Sequence, residues 1–284
     1  MSQVPEGIDP DQLTVVARRV LLDGLVALTP HIDALTVVGA QAVYLRTPDA
    51  AIRNSPFTSD GDLSIDPSLL KDQPLLDASL REAGFRLKKD SEPGLWAREE
   101  TVGDQVVPVE LDLLIPRQLS PKNGRRSAKV PPHGTMSARW IEGLEVAAVD
   151  RSPLPVGSLD PADERSITVN VAGPAALMVA KAFKITDRLN QAEKRPDRLT
   201  DKDAGDVLRI MMTTRARQVA ETFTVLRNDP RVGDTAAEGL EKLRQLFGGR
   251  ATPGVDMAVK ALSGSLEEER VRTLAPAFIS RLTD

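Results

Sequence analysis

The chain has 284 residues, of which 41% are hydrophobic and 27% are charged, a balance typical of a globular protein and not of a disordered one. Its formal net charge of -4 gives no overall signal for nucleic-acid binding. It contains no cysteine and only two histidines, which excludes disulfides, thiolate zinc sites, cysteine nucleophiles and most histidine-based metal sites. Any metal chemistry must therefore use carboxylates.

The length of the chain accommodates two domains, each with its own core. Its N-terminus has no basic segment leading into an apolar run. Nowhere does an apolar run reach the roughly 18 residues that a membrane-spanning helix needs. These features predict a cytoplasmic protein without a membrane partner.

Apolar spacing and turn residues predict that the first half of the chain is rich in strands. Apolar residues recur at helical spacing before Pro30, and runs of alternating polarity follow. The predicted helices in this half span residues 10–29, 40–46 and 67–83. The predicted strands span residues 35–38, 60–65, 85–88, 95–101, 105–115, 143–149 and 166–171.

Prolines and glycines interrupt residues 116–140, a segment that we interpret as a long excursion. Pro174 opens a helix, because proline is tolerated in the first turn, and the chain beyond it has helical character. The sequence therefore predicts an α+β protein with a strand-rich domain in residues 1–165 and a helical domain in residues 166–284.

The turn between the strand at 35–38 and the helix at 40–46 is the first candidate functional element. Gly39 can adopt a backbone conformation that other residues disfavour, and the following helix could offer backbone N–H groups to a phosphate. A strand-to-helix connection without function explains Gly39 alone more simply. The acidic motif that follows at residues 58–62 strengthens the functional interpretation.

Asp60 and Asp62 lie two residues apart at the start of a predicted strand, so their side chains point to one face, about 7 Å apart. A third carboxylate on a neighbouring strand, such as the strand that carries Asp112, would complete a strongly negative site. Ionised carboxylates so close repel one another unless a cation lies between them, and Mg²⁺ suits both oxygen ligands and phosphate-bearing substrates. An ordinary acidic turn is the alternative.

Residues 116–140 carry six basic residues and no aspartate or glutamate. This block could engage a phosphate backbone, and a solvated surface loop explains it equally well. His133, in the same segment, is expected to be exposed or to contact phosphate. The candidate RNA-binding residues are Arg117, Lys122, Arg125, Arg126 and Lys129.

Three basic residues, Lys181, Lys184 and Arg188, lie on neighbouring faces of a predicted helix. A solvated face is the default interpretation of such a run. Asp203 and Asp206 follow on the next predicted helix, so the acids and bases of two helices could meet.

Taken together, these motifs resemble the AbiEii-like nucleotidyltransferases over roughly residues 35 to 210. These enzymes are the toxin halves of type IV toxin-antitoxin pairs, belong to the polymerase-beta-like superfamily and include enzymes that modify tRNA. The resemblance rests on Gly39-Ala40, Arg46, Thr58-Ser-Asp60-Gly-Asp62, Asp112, Lys181 with Arg188, and Lys202-Asp203-x-x-Asp206.

The resemblance implies a nucleotidyltransferase domain with a small mixed sheet, followed by a helical domain. It implies transfer of a nucleotide from an NTP to an acceptor hydroxyl, with two Mg²⁺ ions. The implied metal ligands are Asp60, Asp62 and Asp112, and Glu110 competes for the third place. The implied nucleotide-binding residues are Gly39, Ala40, Arg46, Thr58, Lys181, Lys184, Arg188 and Asp206.

The resemblance also implies roles for individual residues. Lys181 would grip the triphosphate, Asp203 would match the acidic motif of the second domain, and Asp112 would help to deprotonate the acceptor hydroxyl. Ala40 departs from the more usual glycine or serine, which removes a hydroxyl contact and leaves the backbone amide.

The resemblance and the basic segment both favour RNA as the acceptor, with a tRNA 3′ end as the leading candidate. Such a toxin would block translation, and a cognate antitoxin would be its partner. A protein or small-molecule hydroxyl is a lesser alternative. A metal-dependent glycosyltransferase, which also uses an Asp-x-Asp motif, and a non-catalytic interaction module are the remaining alternatives.

Overall fold

The computed structural model describes residues 5–48, 50, 58–120 and 127–282, which form an α+β protein. The helices are α1 (Pro10–Ala27), α2 (Gly39–Arg46), α3 (Leu76–Glu82), α4 (Pro174–Asn190), α5 (Lys202–Thr213), α6 (Ala216–Arg227), α7 (Gly233–Phe247), α8 (Pro253–Ala261) and α9 (Glu268–Ser280). The strands are β1 (Leu35–Val38), β2 (Asp60–Ile65), β3 (Arg86–Leu87), β4 (Leu95–Val102), β5 (Gln105–Pro116), β6 (Arg139–Ile141), β7 (Arg151–Gly157) and β8 (Ser166–Ala172).

The chain divides into two units. The first contains the described residues of Met1–Ala42, Pro56–Glu142 and Arg151–Ala172. The second contains those of Val43–Ser55, Gly143–Asp150 and Gly173–Asp284. Strand β8 therefore belongs to the first unit, which extends to Ala172.

A mixed sheet forms the core of the first unit, with the strand order β3-β4-β5-β2-β1-β8-β7 and with β6 paired to β5. Strand β2 runs antiparallel to β1 and parallel to β5, and β1 runs parallel to β8. The interior strand β1 is buried at every position, as its mostly apolar sequence predicts. Strands from distant parts of the sequence thus meet at the centre of the sheet.

Helix α1 covers one face of this sheet. Leu21 of α1 and Leu111 of β5 both lie against Gly61 of β2. The side chains that flank Gly61 along β2, Asp60 and Asp62, consequently point to the opposite face.

The second unit is built from α4 to α9, the end of α2 from Val43 onward and the short helical segment Glu145–Ala148. Helix α4 packs against α5 and α7, and α5 also packs against α8. The half-buried carboxylate of Asp150 accepts a hydrogen bond from the backbone N–H of Ala176 at 2.8 Å, which caps the first turn of α4. Burial raises the pKa of Asp150, although this backbone hydrogen bond and the nearby Arg46 act to lower it.

Two predicted elements differ from the structure. The helix expected at 67–83 begins only at Leu76, because Pro74 disfavours helical geometry in the residue before it and removes a backbone donor. The strand expected at 143–149 is instead a 3₁₀ helix at Glu145–Ala148, and the strand follows at β7. The Glu145 carboxylate accepts the Gly143 N–H at 2.8 Å, which favours a turn there. Within the described residues, no helix is both long and apolar enough to cross a bilayer.

Candidate functional site

The parallel pairing of β2 with β5 brings four acidic residues together. Asp62 is the register partner of Asp112, and Asp60 is the partner of Glu110. Register partners on adjacent strands lie about 4.8 Å apart and share a face, and residues two apart along one strand share a face about 7 Å apart. Asp60, Asp62, Glu110 and Asp112 therefore share the face opposite α1, and we call them the acidic cluster.

Asp62 packs against the turn that opens α2. A Cβ atom placed on Gly39 would overlap Oδ2 of Asp62, so the carboxylate occupies the space where another residue would carry a side chain. Gly39 also has a φ of +67°, in the left-handed region that favours glycine. The glycine turn and the acidic motif, which are separate in the sequence, are therefore in contact.

Asp60 is held by its neighbours. The buried hydroxyl of Thr58 donates to Oδ1 of Asp60 at 2.7 Å. The Gln41 side-chain amide donates to the Asp60 carbonyl oxygen at 3.3 Å, and Gln41 in turn accepts a hydrogen bond from Nε of Arg18 at 2.7 Å. Burial lowers the pKa of Arg18 to about 10, so Arg18 remains a cation at neutral pH.

The two carboxylate oxygens of Asp112 differ in their hydrogen bonding. Nη2 of Arg139, on β6, donates to Oδ2 of Asp112 at 2.5 Å. Oδ1 is buried and has no hydrogen-bond partner among the described residues. Burial and then repulsion from Asp62 raise the pKa of Asp112 well above its usual value, which Arg139 only partly offsets.

Glu110 and Asp112 were both candidates for the third carboxylate. Nζ of Lys88 contacts the Glu110 carboxylate at 2.6 Å. Asp112, and not Glu110, is the register partner of Asp62. The register therefore favours Asp112 beside Asp62, with Glu110 beside Asp60.

The acidic cluster has the donor chemistry of a Mg²⁺ site, since its ligands are hard carboxylate oxygens and one buried oxygen of Asp112 lacks a partner. In the part of the chain that the structure describes, no three acidic or histidine side chains are arranged to hold a metal ion as they stand. Arg139 and Thr58 each engage one carboxylate oxygen of the cluster. Donor type and charge fit Mg²⁺.

In the second unit, basic residues of α4 form ion pairs with acidic residues of α5. Nζ of Lys181 contacts both Asp203 and Asp206 at 2.7 Å. Asp203 also contacts Arg188 at 2.7 Å and Lys184 at 3.2 Å. We call these five residues the Lys181 network.

Burial sets the energetics of the Lys181 network. Only 6% of the Lys181 side chain is exposed, and burial alone would lower its pKa, but Asp203 and Asp206 outweigh burial and raise it. Burial alone would likewise raise the pKa of Asp203, but Lys181, Lys184 and Arg188 lower it. Lys181 and Asp203 are therefore both ionised at neutral pH.

The remaining candidate nucleotide-binding residues lie on α2. Ala40 follows Gly39 in the first turn and is 6% exposed. Arg46 ends α2 in the second unit, where burial lowers its pKa and the Asp150 charge partly offsets the shift.

Three of the six basic residues of this segment can be described. Lys122, Arg125 and Arg126 lie outside the described residues. Lys129 is exposed, and the Arg117 guanidinium lies 4.6 Å from the centre of the Trp140 ring and forms an ion pair with Glu142.

His133 is not exposed, contrary to expectation. It is 6% exposed, its Nδ1 accepts the Leu76 N–H at 3.2 Å, and its Nε2 donates to the Lys71 carbonyl oxygen at 2.9 Å. These bonds tie the loop before α3 to the rest of the unit, so His133 has a structural role.

Sequence reasoning missed Arg18 and Arg139, which support the acidic cluster. For Arg18 there was a weak signal in the sequence, because a charged residue there falls among the buried apolar positions of α1. Arg139 carried none, since its contact with Asp112 depends on the pairing of β5 with β6.

A scan against protein-family models and a search of curated proteins each give no match to the chain.

Proposed function

We propose that this protein is a Mg²⁺-dependent nucleotidyltransferase that moves a nucleotide from an NTP to an acceptor hydroxyl. The observation that carries the proposal is the β2–β5 register, in which Asp62 lies beside Asp112 and packs against Gly39. A carboxylate cluster beside a glycine turn at a helix start suits a metal ion and a phosphate together. The motifs that resemble AbiEii-like nucleotidyltransferases support the same function.

The proposal assigns the reaction to the first unit. Asp60, Asp62 and Asp112 would hold Mg²⁺, which when bound would neutralise charge on the reacting phosphate. The acceptor oxygen forms a bond to the α-phosphorus while the bond to pyrophosphate breaks. Asp112, which has an unpartnered Oδ1 among the described residues, would help to deprotonate the attacking hydroxyl.

The proposal assigns phosphate binding by side chains to the second unit. Lys181, Lys184 and Arg188 supply three positive charges, and Asp203 and Asp206 hold these cations in place. Fixed cations of this kind are suited to binding phosphate oxygens.

The acceptor in this proposal is RNA, with a tRNA 3′ end as the leading candidate, and the biological role is that of a toxin countered by an antitoxin. Exposed Lys129 and the Arg117–Trp140 pair support an RNA-facing surface in the described part of the basic segment.

The test is transfer of label from each radiolabelled NTP to total RNA, with Asp62→Asn and Asp104→Asn compared to the parent protein. Asp62→Asn removes one metal ligand and should slow transfer by about 100-fold or more. Asp104 is exposed in the turn between β4 and β5, so Asp104→Asn should leave the rate unchanged.

Near-normal transfer by Asp62→Asn would refute the assignment of the acidic cluster. Transfer of label from a nucleotide sugar, and not from an NTP, would favour a glycosyltransferase instead.

A further inference from the structure

Arg209, on α5, is a buried cation that the proposed mechanism does not use. It follows Asp206 by one helical turn and is 7% exposed. Its guanidinium carbon lies 5.5 Å from the centre of the Tyr44 ring, in the same unit. No hydrogen bond or ion pair joins the guanidinium to any residue that the structure describes.

A buried charge without a carboxylate partner is costly and therefore uncommon. The acids closest in sequence, Asp203 and Asp206, already contact three cations of the Lys181 network. With Arg209, these residues make four cations and two carboxylates on α4 and α5. The excess positive charge suits an anionic ligand.

Tyr44 gives the Arg209 guanidinium a defined position. A guanidinium near an aromatic ring gains a cation–π interaction, which does not use its N–H donors. Those donors form a planar fork that matches two oxygens of a phosphate. The Arg209 donors are thus held in place and uncommitted within the described part of the protein.

We propose that Arg209 is a phosphate-binding residue, held by the ring of Tyr44, that takes a polyphosphate group as its ligand. The identification of this group with the β- and γ-phosphates of an NTP rests on the proposed function. The anion site itself does not rest on it.

The test measures the affinity of the full-length protein for inorganic triphosphate by calorimetry, without divalent metal. Arg209→Gln removes the charge and should weaken binding about tenfold or more, as the loss of charge-assisted hydrogen bonds predicts. Arg209→Lys keeps the charge without the planar fork. Its affinity for triphosphate should lie between that of the parent protein and that of Arg209→Gln. Arg217→Gln makes the same charge change at an exposed position of α6 and should bind like the parent.

Thermal unfolding of each variant separates ligand binding from a structural role. A merely structural Arg209 would lower the unfolding temperature without changing triphosphate affinity in the folded protein. If Arg209→Gln does not fold, Arg209→Lys carries the test. Unchanged affinity in the folded Arg209 variants, an equal loss in Arg217→Gln, or no triphosphate binding by the parent protein would each overturn the inference.

Asp62→Asn distinguishes this inference from the proposed function. Triphosphate binding that depends on Arg209 but persists in Asp62→Asn supports the anion site even if no nucleotide transfer is ever detected. Transfer that is lost in Asp62→Asn and normal in Arg209→Gln, with unchanged triphosphate affinity, would refute the role of Arg209 alone.

Discussion

Gly39 meets two requirements that only glycine satisfies. Its positive φ is unfavourable for residues with a side chain, and the Asp62 carboxylate fills the space beside its Cα atom. The second requirement ties the backbone turn to the acidic cluster directly. A side chain at position 39 would therefore disturb the carboxylate as well as the turn.

Gly39→Ala is expected to lower the free energy of unfolding by more than Gly264→Ala. Gly264 has a φ of +80°, and a Cβ atom there would meet no described atom within 4 Å, so alanine should cost only the backbone strain of about 1–2 kcal/mol. At Gly39 the displaced Asp62 adds about 1–3 kcal/mol. Urea unfolding measures both variants, and equal losses would contradict the contact.

At the level of elements, β2 and β5 could be predicted from the sequence because they alternate in polarity and end at turn residues. The pairing of Lys181 with Asp203 and Asp206 could be anticipated, because both helices carry charges at helical spacing. The contacts of Arg139 and Arg209 could not be anticipated from the sequence. Each depends on a partner far away in the sequence, and local pattern contains no information about such pairs.

Lys181 joins α4 to α5, and its removal should destabilise the protein. Lys181→Met would leave Asp203 and Asp206 buried without their shared cation, a loss of about 3–5 kcal/mol of unfolding free energy. Lys184→Met should cost less than about 1 kcal/mol, because the Lys184 side chain is 44% exposed. Chemical denaturation compares the two.

Equal stability of Lys181→Met and Lys184→Met would contradict a stabilising role for the buried pair. If the expected difference is found, loss of activity in Lys181→Met needs a stability measurement before it is attributed to phosphate binding.

At the scale of the whole molecule, the acidic cluster lies in the first unit and the Lys181 network lies in the second. The expected α+β class is confirmed, since strands lie in the first 172 residues and helices follow. The nucleotidyltransferase fold, the metal and the acceptor stay predictions. The sequence could not reveal that Gly143–Asp150 joins the second unit, because that membership depends on packing against helices further along the chain.

The pH dependence of stability should report on His31. His31 is fully buried, its Nε2 donates to the Pro74 carbonyl oxygen at 2.8 Å, and the His133 ring lies 5.5 Å away. Burial lowers the pKa of His31; the bond to Pro74 acts to raise it, and the charges of His133 and Lys71 lower it further. The native state therefore binds fewer protons than the unfolded chain below about pH 6.5.

The free energy of unfolding should consequently fall as the pH decreases through about 6.5, until the lowered pKa of native His31 is passed. Urea unfolding at about pH 7.5 and about pH 5.5 measures this fall. His31→Gln, which keeps an amide donor for Pro74, should show a smaller fall. An identical fall in the variant would show that His31 does not contribute.

The position of β1 between β2 and β8 has a consequence for folding during synthesis. During synthesis, β1 and β2 leave the ribosome long before β8, so one edge of β1 stays without its partner until residue 172 has emerged. Unpaired apolar edges are prone to association with other chains, and pairing between distant segments is slow to form. The nascent protein therefore passes through a vulnerable interval in which chaperone protection would matter most.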